Sequence, residues 1–232
     1  ISSYVNAKTG NATLTANGTG DNGNINIANG SKVEAGNDVT VKSTKGNEVK
    51  VDNSKVIAGS DSEGFDVIKD ANDTKGDATI EATNGSVNIK NNSTVTSQDK
   101  DVNIIAKNTI KFGNDNDNGA NIGKTSDITA AKYITVKSTS GNIEGEKTTM
   151  PELTYGDRLT FDAKGDNIFT SADSLKSVNV DYKAGGANRF YTTDDIQFVN
   201  SSLEAPNNFV ESSDDVILNN LTVKQATPDA KD

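Results

Sequence analysis

Apolar and polar residues alternate along this chain in runs of only a few positions, each run closed by a Gly, Asn or Asp turn. The clearest phrase is Asp38-Val39-Thr40-Val41-Lys42-Ser43-Thr44-Lys45-Gly46-Asn47, followed by Val49-Lys50-Val51-Asp52-Asn53-Ser54 and then Val56-Ile57-Ala58-Gly59. Successive side chains on a strand point to opposite faces, so each run presents one apolar face and one polar face. The phrase predicts three short strands joined by tight turns.

The same phrase returns from Asp77-Ala78-Thr79-Ile80, and an earlier copy begins at Ala12-Thr13-Leu14. Later openings fall at Val102, Ile134, Leu159, Val178, Ile196 and Val216, which makes about nine turns. The last four are 19, 18 and 20 residues apart, the span that a solenoid coil of three short strands consumes. Wider upstream spacing, such as the 32 residues between Val102 and Ile134, places looped-out insertions near 60–76, 113–132 and 145–158. A single coil cannot bury its inner face, whereas coils stacked about 4.8 Å apart give every strand partners above and below.

The expectation is all-β: a right-handed parallel β-helix of three-stranded coils over residues 1–223, with 224–232 as a tail or linker. An antiparallel β-sandwich needs the same strands and turns, but it does not ask equivalent side chains to recur every 18 to 20 residues. Such recurrence is visible in Asn167-Ile168-Phe169, Asn188-Arg189-Phe190 and Asn208-Phe209, which predicts an internal stack of Phe169, Phe190 and Phe209.

Composition narrows the function classes. Only 32% of the residues are hydrophobic and 5% aromatic, with no Trp, which excludes a wide Leu-rich core. The net charge of −10 is spread along the length, so neither nucleic acid nor an anionic membrane is an expected partner. No stretch approaches the roughly 20 apolar residues of a membrane span, and Ile1-Ser2-Ser3-Tyr4 has no signal-peptide character, so a mature piece or a fragment is expected. Cys and His are both absent. Disulfides, thiolate chemistry, the usual general base and the commonest transition-metal ligand go with them. No enzyme activity, cofactor or metal is expected.

Phrases such as Val39-Thr40-Val41-Lys42-Ser43-Thr44-Lys45-Gly46-Asn47 and Ile134-Thr135-Val136-Lys137-Ser138-Thr139-Ser140-Gly141-Asn142-Ile143 resemble the degenerate repeats of filamentous-haemagglutinin-type exoproteins. The resemblance covers roughly Ala12 to Val223. It implies a long right-handed β-helix, export through an outer-membrane pore by two-partner secretion, and a place on the bacterial surface. Such proteins serve adhesion, biofilm formation, cytolysis and presentation of contact-dependent toxins. The amino-terminal secretion domain of the family is not seen, so the piece is expected to be internal or carboxy-terminal. Adhesion to host cells, glycans or other bacteria is the function expected, with a passive stalk and a polysaccharide-active β-helix enzyme as alternatives.

Several segments carry candidate chemistry. The insertion ending at Arg158 holds Met150, Leu153 and Tyr155 and leaves the repeat; a tolerated insertion is expected there, and these four residues are the candidate binding loop if the rod carries one. Phe65, Val67 and Ile68 lie in a second, acidic excursion. Asn114-Asp115-Asn116-Asp117-Asn118-Gly119 has the flavour of a calcium loop, but Asn occupies its ligand positions and no bidentate Glu follows, so a solvated loop is expected. The pairs Asp194-Asp195 and Asp214-Asp215 are expected to cap turns. The carbohydrate-active enzymes of this scaffold would set such acids beside a Gly-His-Gly segment, which is missing. Sequons at Asn11, Asn17, Asn72, Asn91, Asn92, Asn200 and Asn220 offer sites for glycosylation.

Overall fold

The computed structural model describes residues 2–59, 76–91, 93–113, 127–146 and 159–226. The first coil is β1 (Tyr4–Ala7), β2 (Ala12–Ala16) and β3 (Ile25–Ile27), and the second is β4 (Lys32–Ala35), β5 (Val39–Ser43) and β6 (Glu48–Asp52). Next come β7 (Lys55–Ala58), β8 (Ala78–Ala82) and β9 (Ser86–Lys90), then β10 (Thr94–Ser97), β11 (Val102–Ala106) and β12 (Ile110–Gly113). The fifth coil is β13 (Asp127–Ala130), β14 (Ile134–Ser138) and β15 (Ile143–Glu146), and the sixth is β16 (Leu159–Ala163), β17 (Asn167–Ser171) and β18 (Leu175–Val178). After β19 (Val180–Ala184), β20 (Ala187–Thr192) and β21 (Ile196–Val199), the eighth coil is β22 (Ser202–Ala205), β23 (Asn207–Ser212) and β24 (Val216–Asn219). A last strand, β25 (Thr222–Gln225), opens a ninth.

Every strand pairs in parallel with those three before and three after it, which builds three sheets of nine, eight and eight strands. The first sheet runs from β1 to β25, the second from β2 to β23 and the third from β3 to β24. This is a parallel β-helix. Among the described residues, no helix is long and apolar enough to cross a membrane.

Alternation within each strand sends one column of side chains inward per sheet. In the first sheet the column Val33, Val56, Val95, Ile128, Phe161 and Tyr182 stays in register from coil to coil. The second sheet contributes Val41, Ile80, Ile104, Val136, Phe169 and Phe190. Early coils are filled by Val, Ile and Ala, whereas the later ones enclose rings. Phe161 stacks on Tyr182 at 5.3 Å, Phe169 stacks on Phe190 at 5.3 Å, and Tyr182 meets Phe190 edge-on at 4.9 Å. The third sheet compensates for this volume: between Phe112 and Phe198 its inward positions are Gly145 and Ser177. Ser177 also accepts the hydrogen bond of the buried Tyr182 hydroxyl at 3.1 Å.

Phe209 does not join this stack. Asn188 pairs with Asn208, so Val210 falls opposite Phe190 and Phe209 falls opposite Arg189. One position along a strand reverses the face. Phe209 is 45% exposed, with the Arg189 guanidinium 4.8 Å from its ring centre.

Three boundaries differ from expectation. Asp127–Ala130 forms β13, inside the expected insertion, and Ile128 there is fully buried. Thr222–Gln225 carries the rod two residues past 223. Val178-Asn179-Val180 is a corner and not one strand, because Asn179 has φ 56°. It belongs to a set: Asn29, Asn53, Asn91, Asn179, Asn200 and Asn220 all turn the chain from the third sheet to the first with φ between 47° and 60°. Asn adopts this left-handed conformation more readily than other side chains. In the fourth and fifth coils the same corner is where the chain leaves after β12 and β15 and returns at β13 and β16.

Candidate functional site

Met150, Leu153, Tyr155 and Arg158 lie outside the described residues, as do Phe65, Val67, Ile68, the 114–119 tract, Asn72 and Asn92. The described surface offers other features, all built by the coil register.

On the outer face of the third sheet, two columns of side chains run along the rod. Asn142, Ser174 and Asp195 stand at the corner before the strands, where Ile143 N donates to Ser174 O at 3.0 Å and Leu175 N to Asp195 O at 2.9 Å. Two residues on, Glu144, Lys176 and Gln197 form the second column, in register across β15, β18 and β21. Between them lies a depression of about 320 Å³, bounded at its far end by Ile217. Lys111 Nζ is 3.1 Å from Glu144 Oε2 at the near end. Oδ1 of Asn142 is buried and accepts no hydrogen bond.

Beside this trench, carboxylate oxygens of Asp194, Asp195 and Asp214 lie within 4.8 Å of one another. These oxygens could hold a cation. Two of the three already serve turns: Asp194 Oδ2 accepts from Ser174 Oγ at 2.9 Å, and Asp195 Oδ1 from Asp215 N at 3.2 Å. Both bonds join neighbouring coils at a separation of 20 residues, so these Asp side chains tie one coil to the next instead of capping their own turns.

A second surface surrounds Arg189 on the second sheet. Asp166 bonds Arg189 Nε at 3.0 Å and accepts from Ala187 N at 2.7 Å. The hydrogen bond it donates to Asp166 holds the Arg189 guanidinium above its ordinary pKa. Tyr133, 46% exposed, lies against the backbone of Gly165 close by.

One lysine on the third sheet is unusual. Lys90 is 8% exposed, and burial first, then neighbouring Lys50, hold its ammonium below the ordinary value. At the amino-terminal end a depression of about 240 Å³ lined by Val5, Leu14, Ile27 and Val33 is the open mouth of the core.

Three of the sequons have a structural origin. Asn91, Asn200 and Asn220 are corner residues in left-handed conformation, and Ser93 of the Asn91 sequon is fully buried, donating to Val51 O at 3.1 Å. Asn220 Nδ2 donates to Asn200 Oδ1 at 2.8 Å.

Sequence reading missed the trench, since Asn142, Glu144, Ser174, Lys176 and Gln197 lie in ordinary strand phrases. The signal would have been the register itself, because residues two apart on three consecutive third-sheet strands share one outer face. In comparison with known proteins, the chain matches no family model, no curated protein and no solved structure.

Proposed function

We propose that this chain is a β-helical rod segment of a secreted bacterial surface protein of the filamentous-haemagglutinin type, and that it attaches the cell to host cells, glycans or other bacteria. The observation that carries the reading is architectural. Three continuous parallel sheets set outward-facing side chains at one fixed height per coil, so a long stiff surface is displayed with every strand hydrogen-bonded to its neighbours. The repeat phrases that resemble such exoproteins occupy this framework, and the net charge of −10 suits a solvated surface rod better than a nucleic-acid or anionic-lipid partner. The parent protein would pass an outer-membrane secretion pore before the rod folds.

The passive-stalk reading draws on a specific feature too: six of the corners between the third and first sheets are short turns built on a left-handed Asn, with no long loop in them. Beads coated with the purified chain, applied to epithelial cells and to bacterial lawns beside albumin-coated beads, separate the two. Saturable retention above albumin is expected of an attachment module. Retention equal to albumin on every surface supports the stalk.

A further inference from the structure

We propose that the trench between the Asn142–Ser174–Asp195 and Glu144–Lys176–Gln197 columns binds a neutral oligosaccharide laid along the rod axis; this deepens the attachment reading above and rests on it.

Shape comes first. The depression runs over three coils and ends on Ile217 of a fourth, with rungs about 4.8 Å apart, so it is an elongated, open slot that suits a linear chain and not a compact cofactor. Its walls alternate acceptors and donors: carboxylates on Glu144 and Asp195, amides on Asn142 and Gln197, a hydroxyl on Ser174 and an ammonium on Lys176. A ligand bearing many hydroxyls can donate to the first kind and accept from the second at every rung. Ile217, 43% exposed at the far end, adds an apolar surface for the C–H face of a sugar ring.

Asn142 strengthens the argument. Its Oδ1 is buried without a hydrogen-bond partner, and a buried acceptor left without a donor is costly. Asn142 lines the trench, and a turn of its amide toward a ligand hydroxyl gives that oxygen a donor.

Two other ligand classes fit poorly. A peptide recognised by strand addition needs a free sheet edge, but β15, β18 and β21 are interior strands of the third sheet with neighbours on both sides. A sulfated or carboxylated glycan meets Glu144 and Asp195 in the slot and Asp194 and Asp214 beside it, against Lys176 in the lining and Lys111, which is paired with Glu144 at the near end. That field repels polyanions.

The test uses the whole chain on an array printed with neutral and with anionic oligosaccharides, beside the Glu144→Ala/Gln197→Ala double variant, Asn142→Leu, and Lys42→Ala on the second sheet as a control. Circular dichroism establishes that each variant folds. The expected result is binding to neutral oligosaccharides that falls at least tenfold in the double variant and in Asn142→Leu and is unchanged in Lys42→Ala. No glycan binding, binding confined to anionic spots, or neutral binding equal in all variants overturns the proposal. Bead retention on cells, measured with the same proteins, separates the two readings. Retention by the native chain with a blank array removes the trench and keeps attachment, whereas array binding without retention keeps the trench and removes attachment.

Discussion

Asn167 and Asn188, both fully buried, are joined across neighbouring coils by a 2.8 Å hydrogen bond from Nδ2 of the first to Oδ1 of the second. Asn188 Nδ2 in turn donates to Asn208 Oδ1 at 2.8 Å, and Asn167 Nδ2 also reaches Lys183 O at 2.8 Å. The ladder stops where Ile134 replaces Asn in the preceding coil, and there Asn167 Oδ1 is left without a partner.

A polar ladder in a dry core is stable only while it is continuous. Asn188→Val strands a donor on Asn167 and an acceptor on Asn208, and a buried group without its partner costs about 1–3 kcal/mol. Replacing Asn167, Asn188 and Asn208 together by Val removes both sides of each amide–amide bond and withdraws a side-chain donor only from backbone carbonyls such as Lys183 O. The triple variant is therefore expected to unfold at higher urea than Asn188→Val alone. A triple variant weaker than the single one would mean that the amides stabilise in some other way.

The Phe190 and Phe209 positions differ by face, not by residue type. Phe190 is fully buried against Phe169, Tyr182 and Phe198, the last at 5.1 Å. Phe190→Ala should cost about 3–5 kcal/mol, the usual range for emptying an aromatic core site. Phe209→Ala loses one cation–π contact with Arg189, and about 1 kcal/mol or less is expected. Thermal melts of the two variants decide it; equal losses would mean that Phe209 packs inside after all.

Left-handed corners give a third expectation. Asn53 has φ 47°, and a Cβ-bearing residue other than Asn or Asp pays about 1–2 kcal/mol there. Asn53→Ala should lower the melting temperature, while Asn53→Gly, free of the steric conflict, should stay closer to the native value. Equal losses in the two variants would place the role of Asn53 in its side-chain bonds instead of its backbone.

Much of this architecture was legible because the side-chain period of a strand is two and the repeat brings equivalent positions back. Val39, Val49 and Val56 announced three strands of one coil, and the structure puts them in the second, third and first sheets. Register was less legible. Phe209 follows an Asn as Arg189 does, but the aromatic spacing drew attention to the ring and hid the pairing of Asn188 with Asn208. Strand β13 was hidden by its brevity, since Ile128 is the one large apolar residue in Asp127–Ala130. The trench was illegible for another reason: its six side chains come from three coils and touch one another only through the stack.

Tyr182 links the aromatic core to pH. Its phenol is completely buried among Phe161, Phe169, Phe190 and Phe198, and burial pushes its pKa far above the ordinary tyrosine value, with the Ser177 hydrogen bond opposing only in part. In the unfolded chain the same phenol loses its proton near pH 10. The folded state therefore holds the proton more tightly, and stability falls as pH rises above that point. Below about pH 10 the contribution is complete, because both states are protonated. Urea unfolding measured at intervals from neutral to strongly alkaline pH should show a downward slope beginning near pH 10 that is shallower in Tyr182→Phe. Ser177 keeps a partner in that variant, since its hydroxyl lies 3.1 Å from that of Ser201. Absorbance of the native chain, set against that of Tyr182→Phe, should show the Tyr182 phenol resisting ionisation until the fold opens. Ionisation of Tyr182 near pH 10 with the β-type circular dichroism intact would mean that water reaches its hydroxyl, and the dry aromatic core would have to be redrawn.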